Sequence, residues 1–89
     1  MNFEYDPNKS AANLVKHGID FEAAKALWSD PAALEVPAKV LDEPRFIVIG
    51  KIGSQHWTAV ITYRAETIRI ISVRRARDNE KNAYENFGL

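Results

Sequence analysis

Residues 68–85 read IRIISVRRARDNEKNAYE and carry four arginines. Ile68–Arg75 has the Ile/Val-rich composition of a β-strand, and Asp78–Phe87 has the spacing of a helix. Such a strand usually ends in turn residues, but this one ends in a cluster of arginines. Guanidinium groups remain charged at physiological pH and bind phosphate oxygens through paired hydrogen bonds. The stretch therefore indicates an anion site, and nucleic acid is the polyanion that we expect.

The distribution of charge is local. Over the whole chain 12 Lys and Arg balance 12 Asp and Glu, which argues against a simple polybasic nucleic-acid binder. Residues 64–77, however, hold five arginines against the single Glu66. This pattern indicates a site that binds a few phosphates and does not coat a long duplex.

The composition excludes several classes of chemistry. The chain has no cysteine, which excludes disulfides, thiolate catalysis and Cys-based zinc sites. His17 and His56 are far apart and have no metal-ligand spacing. We therefore expect neither a metal nor a cofactor. The 89 residues suit one domain spanning 1–89. Without a signal-peptide pattern or a membrane-length apolar run, a cytoplasmic location is expected.

The periodicity predicts an α+β domain with the order β-α-α-β-β-β-β-α, an antiparallel meander whose helices are grouped on one side. Asp6 and Asp20 are typical N-caps, and Gly18 is a typical helix stop. Ala11, Leu14 and Val15 share one face of the first helix. The predicted elements are strand 3–5, helix 7–16, helix 21–28, strand 34–36, a loop over 37–44, strands 45–52, 56–64 and 68–75, and helix 78–87.

The last hairpin has two plausible registers. A two-residue turn at Ala65-Glu66 would place Arg64, Arg69, Arg75 and His56 on one polar face. A three-residue turn would place Arg74 with Arg64 and His56 instead. Ala-Glu is a poor pair for a primed turn, so the sequence leaves both registers open.

The chain resembles the BrnT-type toxins over nearly its whole length. These are similar to the RelE-like ribonuclease toxins of type II toxin–antitoxin systems. The matching residues, in order, are FEYDPNK (3–9), NLVKHGIDFEAA (13–24), WSDP (28–31), RFIVIG (45–50), IRIISVRRA (68–76), Glu80 and Tyr84-Glu85.

The resemblance implies a RelE-like fold and a metal-independent endoribonuclease that cleaves mRNA and inhibits translation. It also implies neutralisation by a cognate, BrnA-like antitoxin with ribbon-helix-helix-like DNA binding, so that DNA is contacted through the antitoxin alone. The last helix is less basic than is usual in such toxins. This departure favours an alternative, a non-catalytic protein that co-represses transcription with its antitoxin.

Metal-free RNA cleavage requires a base for the 2′-hydroxyl, cations for the pentacoordinate phosphorane, and an acid for the leaving 5′-oxygen. We assign the cationic role to Arg64, Arg74 and Arg75. With the resemblance, His17 becomes a candidate acid or base, and Glu80 a candidate general base. The expected substrate-binding residues are Lys16, Arg69, Arg77 and Tyr84.

Each of these residues also has a structural interpretation. The arginines could form ion pairs at a sheet edge, and His17 could interact with the carbonyls of the last helical turn. Glu80 could favour the helix dipole, while Tyr84 could pack on the sheet. His56 is expected to be an ordinary surface residue.

Overall fold

The computed structural model describes residues 1–38 and 43–87. These residues form a five-stranded sheet with α-helices, which confirms the predicted α+β class. The elements are β1 (Asn2–Glu4), α1 (Pro7–His17), α2 (Phe21–Ala24), β2 (Leu34–Ala38), β3 (Arg45–Ile52), β4 (Gln55–Arg64), β5 (Thr67–Arg75) and α3 (Asp78–Phe87).

The sheet has the strand order β1-β5-β4-β3-β2. Strands β2 to β5 form an antiparallel meander, and β1 adds to β5 in parallel. The prediction of a loop over 37–44 is wrong at Pro37 and Ala38, which belong to β2. Proline is tolerated there since β2 is an edge strand. Residues 39–42 of that prediction lie outside the described residues.

The second helix is shorter than predicted. Asp20 caps it through the Ala23 N–H, but the α-helix ends at Ala24, and a 3₁₀ segment continues over Lys25–Ser29. Phe21, Ala24 and Leu27 are all fully buried at intervals of three residues. A 3₁₀-helix repeats every three residues, so the tighter winding keeps this stripe on the core.

Helix α1 faces the core with its polar side, and its apolar residues point outward. Ser10 and Asn13 are buried, while Leu14 and Val15 are 49% and 89% exposed. The Ser10 hydroxyl accepts a hydrogen bond from the Phe21 N–H at 2.8 Å. The Asn13 amide donates to the Ile19 carbonyl, also at 2.8 Å. Because both side chains hydrogen-bond to main-chain groups, their polar atoms are buried with hydrogen-bond partners.

The helices lie on both faces of the sheet, so the prediction that they are grouped on one side is wrong. Val48 of β3 belongs to the core formed with the α2 region. The next residue, Ile49, packs with Tyr84 of α3 instead. Consecutive strand residues point to opposite faces, so α3 covers the face opposite α1 and α2. The physical reason for helices on both faces is that β3 is apolar on both faces near its centre, so each face needs a covering element.

The β4–β5 hairpin follows neither predicted register along its full length. Near the two-residue turn Thr62 pairs with Arg69, but beyond it Thr58 pairs with Arg74. The change occurs at a β-bulge, where Ile71 is the extra residue. As a result Arg74 points to the face covered by α3, and Arg75 points to the α1 face.

Candidate functional site

Arg74 and Glu80 form an ion pair that joins the end of β5 to the first turn of α3. Arg74 donates from both terminal nitrogens, Nη1 to Oε1 at 2.7 Å and Nη2 to Oε2 at 2.9 Å. The Thr58 hydroxyl and the Arg77 N–H also donate to Oε1, at 3.0 Å and 2.8 Å. Glu80 is 7% exposed. These four bonds use about all the acceptor positions of a carboxylate.

The position of Glu80 in its helix explains the arrangement. Asp78 begins α3, so Glu80 reaches back to the N–H of Arg77, the residue before the helix, as in a capping box. The Arg74 guanidinium, with the Arg77 N–H and the Thr58 hydroxyl, lowers the pKa of Glu80 to about 2 despite burial. The same pair raises the pKa of Arg74. A carboxylate with this many hydrogen bonds is a weak base, and it holds the Arg74 guanidinium in a fixed position.

Arg75 and Arg77 flank this pair in the chain. The Arg75 guanidinium carbon lies 5.3 Å from the ring centroid of Trp57, a cation–π contact on the α1 face. Both arginines are exposed. Within residues 1–38 and 43–87 neither forms an ion pair with a carboxylate. We call Arg74, Arg75 and Arg77 the basic junction.

Arg64 and Arg69 lie at the other end of the hairpin. The Arg64 Nε and the Arg69 Nη1 are 3.9 Å and 3.8 Å from Oε1 of Glu4 in β1. Arg64 is six residues along β4 from Thr58, the partner of Arg74. At about 3.3 Å per residue, this places Arg64 and Arg74 roughly 20 Å apart. The structure therefore does not bring Arg64 into the basic junction.

Lys16 and His17 end α1, with Lys16 exposed and His17 half-buried. His17 is one helical turn beyond Asn13, which hydrogen-bonds to Val73 of β5. Val73 and Arg75 point to the same face of the sheet. His17 is thus on the Arg75 side, and Glu80 is on the other side. The two expected proton-transfer residues are separated by the sheet.

Tyr84 is a packed residue whose hydroxyl is already engaged. It is 8% exposed and donates to Oδ2 of Asp30 at 2.7 Å. This hydrogen bond is the main cause that raises the pKa of Tyr84 to about 12. Asp30 also accepts the Lys51 N–H at 2.8 Å, at a part of β3 that β2 does not cover. The Tyr84–Asp30 bond therefore fastens α3 to the sheet.

His56, expected from the sequence to be an ordinary surface residue, is a further candidate. Its Nε2 lies 2.8 Å from Oε1 of Glu85, and its ring packs edge-on against Tyr84 at 5.2 Å. His56 is two residues from Thr58 on the same face, so its Cα is roughly 7 Å from that of Thr58 beside the Arg74–Glu80 pair. The alternation of β4 placed His56 and Thr58 on one face. The partner Glu85 is 29 residues away, and that pairing required knowing where α3 docks.

The described residues contain no group of three or more His, Cys, Asp or Glu side chains arranged to hold a metal ion. In the same part of the chain, every helix is too short or too polar to span a bilayer.

Comparison with known proteins identifies the family. Among curated proteins none matches the chain. The family model for the ribonuclease toxin BrnT, of type II toxin–antitoxin systems, matches residues 5–80. The match includes α1, the whole meander and the basic junction through Glu80. The chain therefore belongs to the BrnT family of ribonuclease toxins of type II toxin–antitoxin systems.

Proposed function

We propose that this protein is a toxin with a RelE-like fold that cleaves mRNA in the cytoplasm without a metal ion and thereby inhibits translation. A BrnA-like, DNA-binding antitoxin would neutralise it. The observation that carries the proposal is the basic junction, where a buried carboxylate holds one arginine and two more are exposed beside it. The family match supports ribonuclease activity and an antitoxin partner.

The basic junction suits the cationic role in phosphodiester cleavage. Arg74 uses two of its five N–H donors on Glu80 through the bidentate pair. Its remaining donors are held in a fixed direction, which is the condition under which donors stabilise developing negative charge best. Arg75 and Arg77 add positive charge that no carboxylate of the described residues neutralises. We assign the scissile phosphate to this junction.

Glu80 is better suited to positioning Arg74 than to removing a proton. Its lone pairs are occupied and its pKa of about 2 makes it a poor base near neutral pH. Proton transfer then falls to histidine. His17 lies on the Arg75 side of the sheet, and His56 lies beside Arg74 with Glu85 on its Nε2. Both are proposed as acid–base candidates, to be separated by substitution.

The more distant residues are assigned to RNA binding. Arg64 and Arg69 would contact the RNA roughly 20 Å and 13 Å from Arg74, distances of a few nucleotides. Lys16, at the exposed end of α1, would contact it on the Arg75 side. Tyr84 would act by holding α3 in place, since its hydroxyl is bonded to Asp30.

The test is cleavage of a defined RNA by the purified protein in the presence of a strong chelator. We expect cleavage that persists with chelator and is lost in Arg75→Ala, while circular dichroism and the melting temperature stay near wild type. Activity that requires an added divalent ion would contradict the metal-free mechanism.

A co-repressor role is the second candidate. It is favoured by α3, whose first turn carries Asp78 and Glu80 and whose last turn has no basic residue. Intact RNA, together with tight antitoxin binding and operator repression that needs both proteins, would establish this role in place of cleavage.

A further inference from the structure

The outward side of α1 is an apolar surface without a partner in the described part of the chain. We call Ala11, Ala12, Leu14 and Val15 the α1 outer face. All four residues are exposed, and Val15 is 89% exposed. In most surface helices the apolar side packs on the core and the polar side meets water. Here Ser10 and Asn13 occupy the core side, so the usual arrangement is reversed.

The hydrogen bonds of Ser10 and Asn13 fix this orientation. Asn13 bonds to both main-chain groups of Val73 and to the Ile19 carbonyl, and Ser10 accepts the Phe21 N–H. Rotating α1 to bury Val15 would leave these main-chain groups without partners, at a cost of about 1–3 kcal/mol for each. The outer face is therefore a fixed property of the fold.

Charge indicates what kind of molecule covers the outer face. Lys9 and Lys16 are exposed along one flank of it, and α1 contains no acidic residue. A second copy fits poorly, because antiparallel pairing of two α1 helices would bring Lys9 of one copy towards Lys16 of the other. RNA phosphates could contact the lysines, but Leu14 and Val15 would add no favourable contact to RNA.

We propose that the α1 outer face binds an amphipathic helix of a partner protein, with an apolar stripe against Leu14 and Val15 and acidic residues against Lys9 and Lys16. This inference rests on the proposed function in one respect, that the partner is the antitoxin. Amphipathic helices recognise partners through apolar anchors spaced by three or four residues, and the outer face has this spacing.

The test measures binding of the protein encoded beside this chain to the wild type and to two variants. Val15→Glu places a charge at the most exposed apolar position, and we expect the dissociation constant to rise at least about 10-fold. Asn82→Glu is the matched control, an exposed helical position on the opposite face of the sheet, and it should stay within about 3-fold. Lys9→Glu should weaken binding and reduce its salt dependence.

Three results would overturn the inference. These are binding by Val15→Glu equal to that of the wild type, no binding by the wild type, and a Val15-dependent homodimer in size-exclusion chromatography. RNA cleavage by the free protein is measured separately and should be unchanged in Val15→Glu. If the wild type cleaves RNA but binds no partner, or binds it equally well with Val15→Glu, the inference fails and the ribonuclease proposal stands. If the wild type binds its partner through Val15 but does not cleave RNA, the ribonuclease proposal fails and the inference stands.

Discussion

Asn13 of α1 hydrogen-bonds to Val73 of β5 through both ends of its side-chain amide. Its Oδ1 accepts the Val73 N–H at 3.2 Å, and its Nδ2 donates to the Val73 carbonyl at 2.9 Å. Strand β1 pairs with β5 at Thr67–Arg69 and ends there. Val73 lies four residues further along β5, directly before Arg74. Beyond the end of β1, the Asn13 side chain thus takes the place of a neighbouring strand and holds β5 at the residue before Arg74.

Asn13→Ala should destabilise the fold by about 3 kcal/mol. It removes hydrogen bonds to Val73 and to the Ile19 carbonyl and leaves buried main-chain groups unpaired. The free energy of unfolding from urea titration is the measurement. Asn8→Ala, an exposed position on the same helix, should stay within about 0.5 kcal/mol. Equal effects of the two substitutions would show that the amide contributes little.

Glu80→Gln should separate a positioning role from a general-base role. A positioning residue predicts a fall in kcat of about 10-fold to 100-fold, because Arg74 loses its charged anchor. The pH–rate profile should stay unchanged, because no group that titrates between pH 5 and 9 is removed. A general base predicts loss of the acidic limb of the profile. Measuring kcat for a defined RNA between pH 5 and 9 decides between them.

The Arg74–Glu80 pair should make stability depend on pH in the acidic range. The folded pKa of Glu80 is about 2, below its ordinary value of 4.5, so the contribution is fully present above about pH 4.5. It is lost as the pH falls through that range towards 2. Unfolding measured from pH 7 to 2 should show a smaller decrease in Glu80→Gln than in the wild type. Parallel curves would mean that the pair does not contribute.

Arg75→Ala and Arg64→Ala should affect different kinetic constants. Arg75 lies in the basic junction, and its loss should reduce kcat by about 10²–10³-fold. Arg64 is roughly 20 Å from Arg74 along β4, so its loss should mainly raise KM. Steady-state kinetics on one RNA substrate measure both. A larger fall in kcat for Arg64→Ala would move the cleavage site to the turn of the hairpin.

Gly50→Ala should destabilise the protein although the glycine lies in a regular strand. An added Cβ would lie 3.0 Å from Cδ2 of Leu27 and 3.3 Å from Oδ2 of Asp30. Leu27 is fully buried and Asp30 holds Tyr84, so neither side chain moves freely. We expect a cost of about 1–3 kcal/mol in thermal or chemical unfolding. Ser54→Ala, in the exposed turn of the β3–β4 hairpin, serves as the control.

Local signals in the sequence identified much of the fold. Asp6 and Asp20 do cap helices, each accepting a main-chain N–H, and Gly18 ends α1 with a positive φ of 81°. These features depend on a few neighbouring residues, which is why they could be predicted. The strands β3 and β4 were found for the same reason, since alternation is a local property.

The orientation of α1 could not be predicted, because it depends on a distant partner. The spacing of Ala11, Leu14 and Val15 is that of a core-facing stripe, and it correctly placed them on one face. What turns that face outward is the bonding of Asn13 to Val73, 60 residues away. A buried asparagine satisfied by main-chain groups cannot be distinguished from an exposed one by its neighbours in the sequence.

The sequence proposes residues for the candidate site but does not show how they are grouped. Arg74, Arg75 and Arg77 are adjacent in the chain, so their proximity was expected. Whether Arg64 shares a face with Arg74 or with Arg75 depends on the hairpin register. The bulge at Ile71, which gives Arg64 the face of Arg74, is not visible in a run of apolar residues. The sequence does not indicate a role for His56, because its partner Glu85 comes from the last helix.

The bulge in β5 has a consequence for how this protein tolerates insertions and deletions. Ile70 and Val73 both face the core because one extra residue, Ile71, lies between two stretches of regular pairing. A deletion of Ile71 would give an uninterrupted ladder that keeps Arg74 opposite Thr58 and Arg75 opposite Trp57. If Ile71 were instead retained and paired with Val60, Arg74 would lie opposite Trp57 and Arg75 opposite His56. The two arginines would exchange environments with no change in the residues themselves. Homologues of different hairpin length should therefore be aligned by strand pairing, since an alignment by residue identity alone could equate arginines on opposite faces of the sheet.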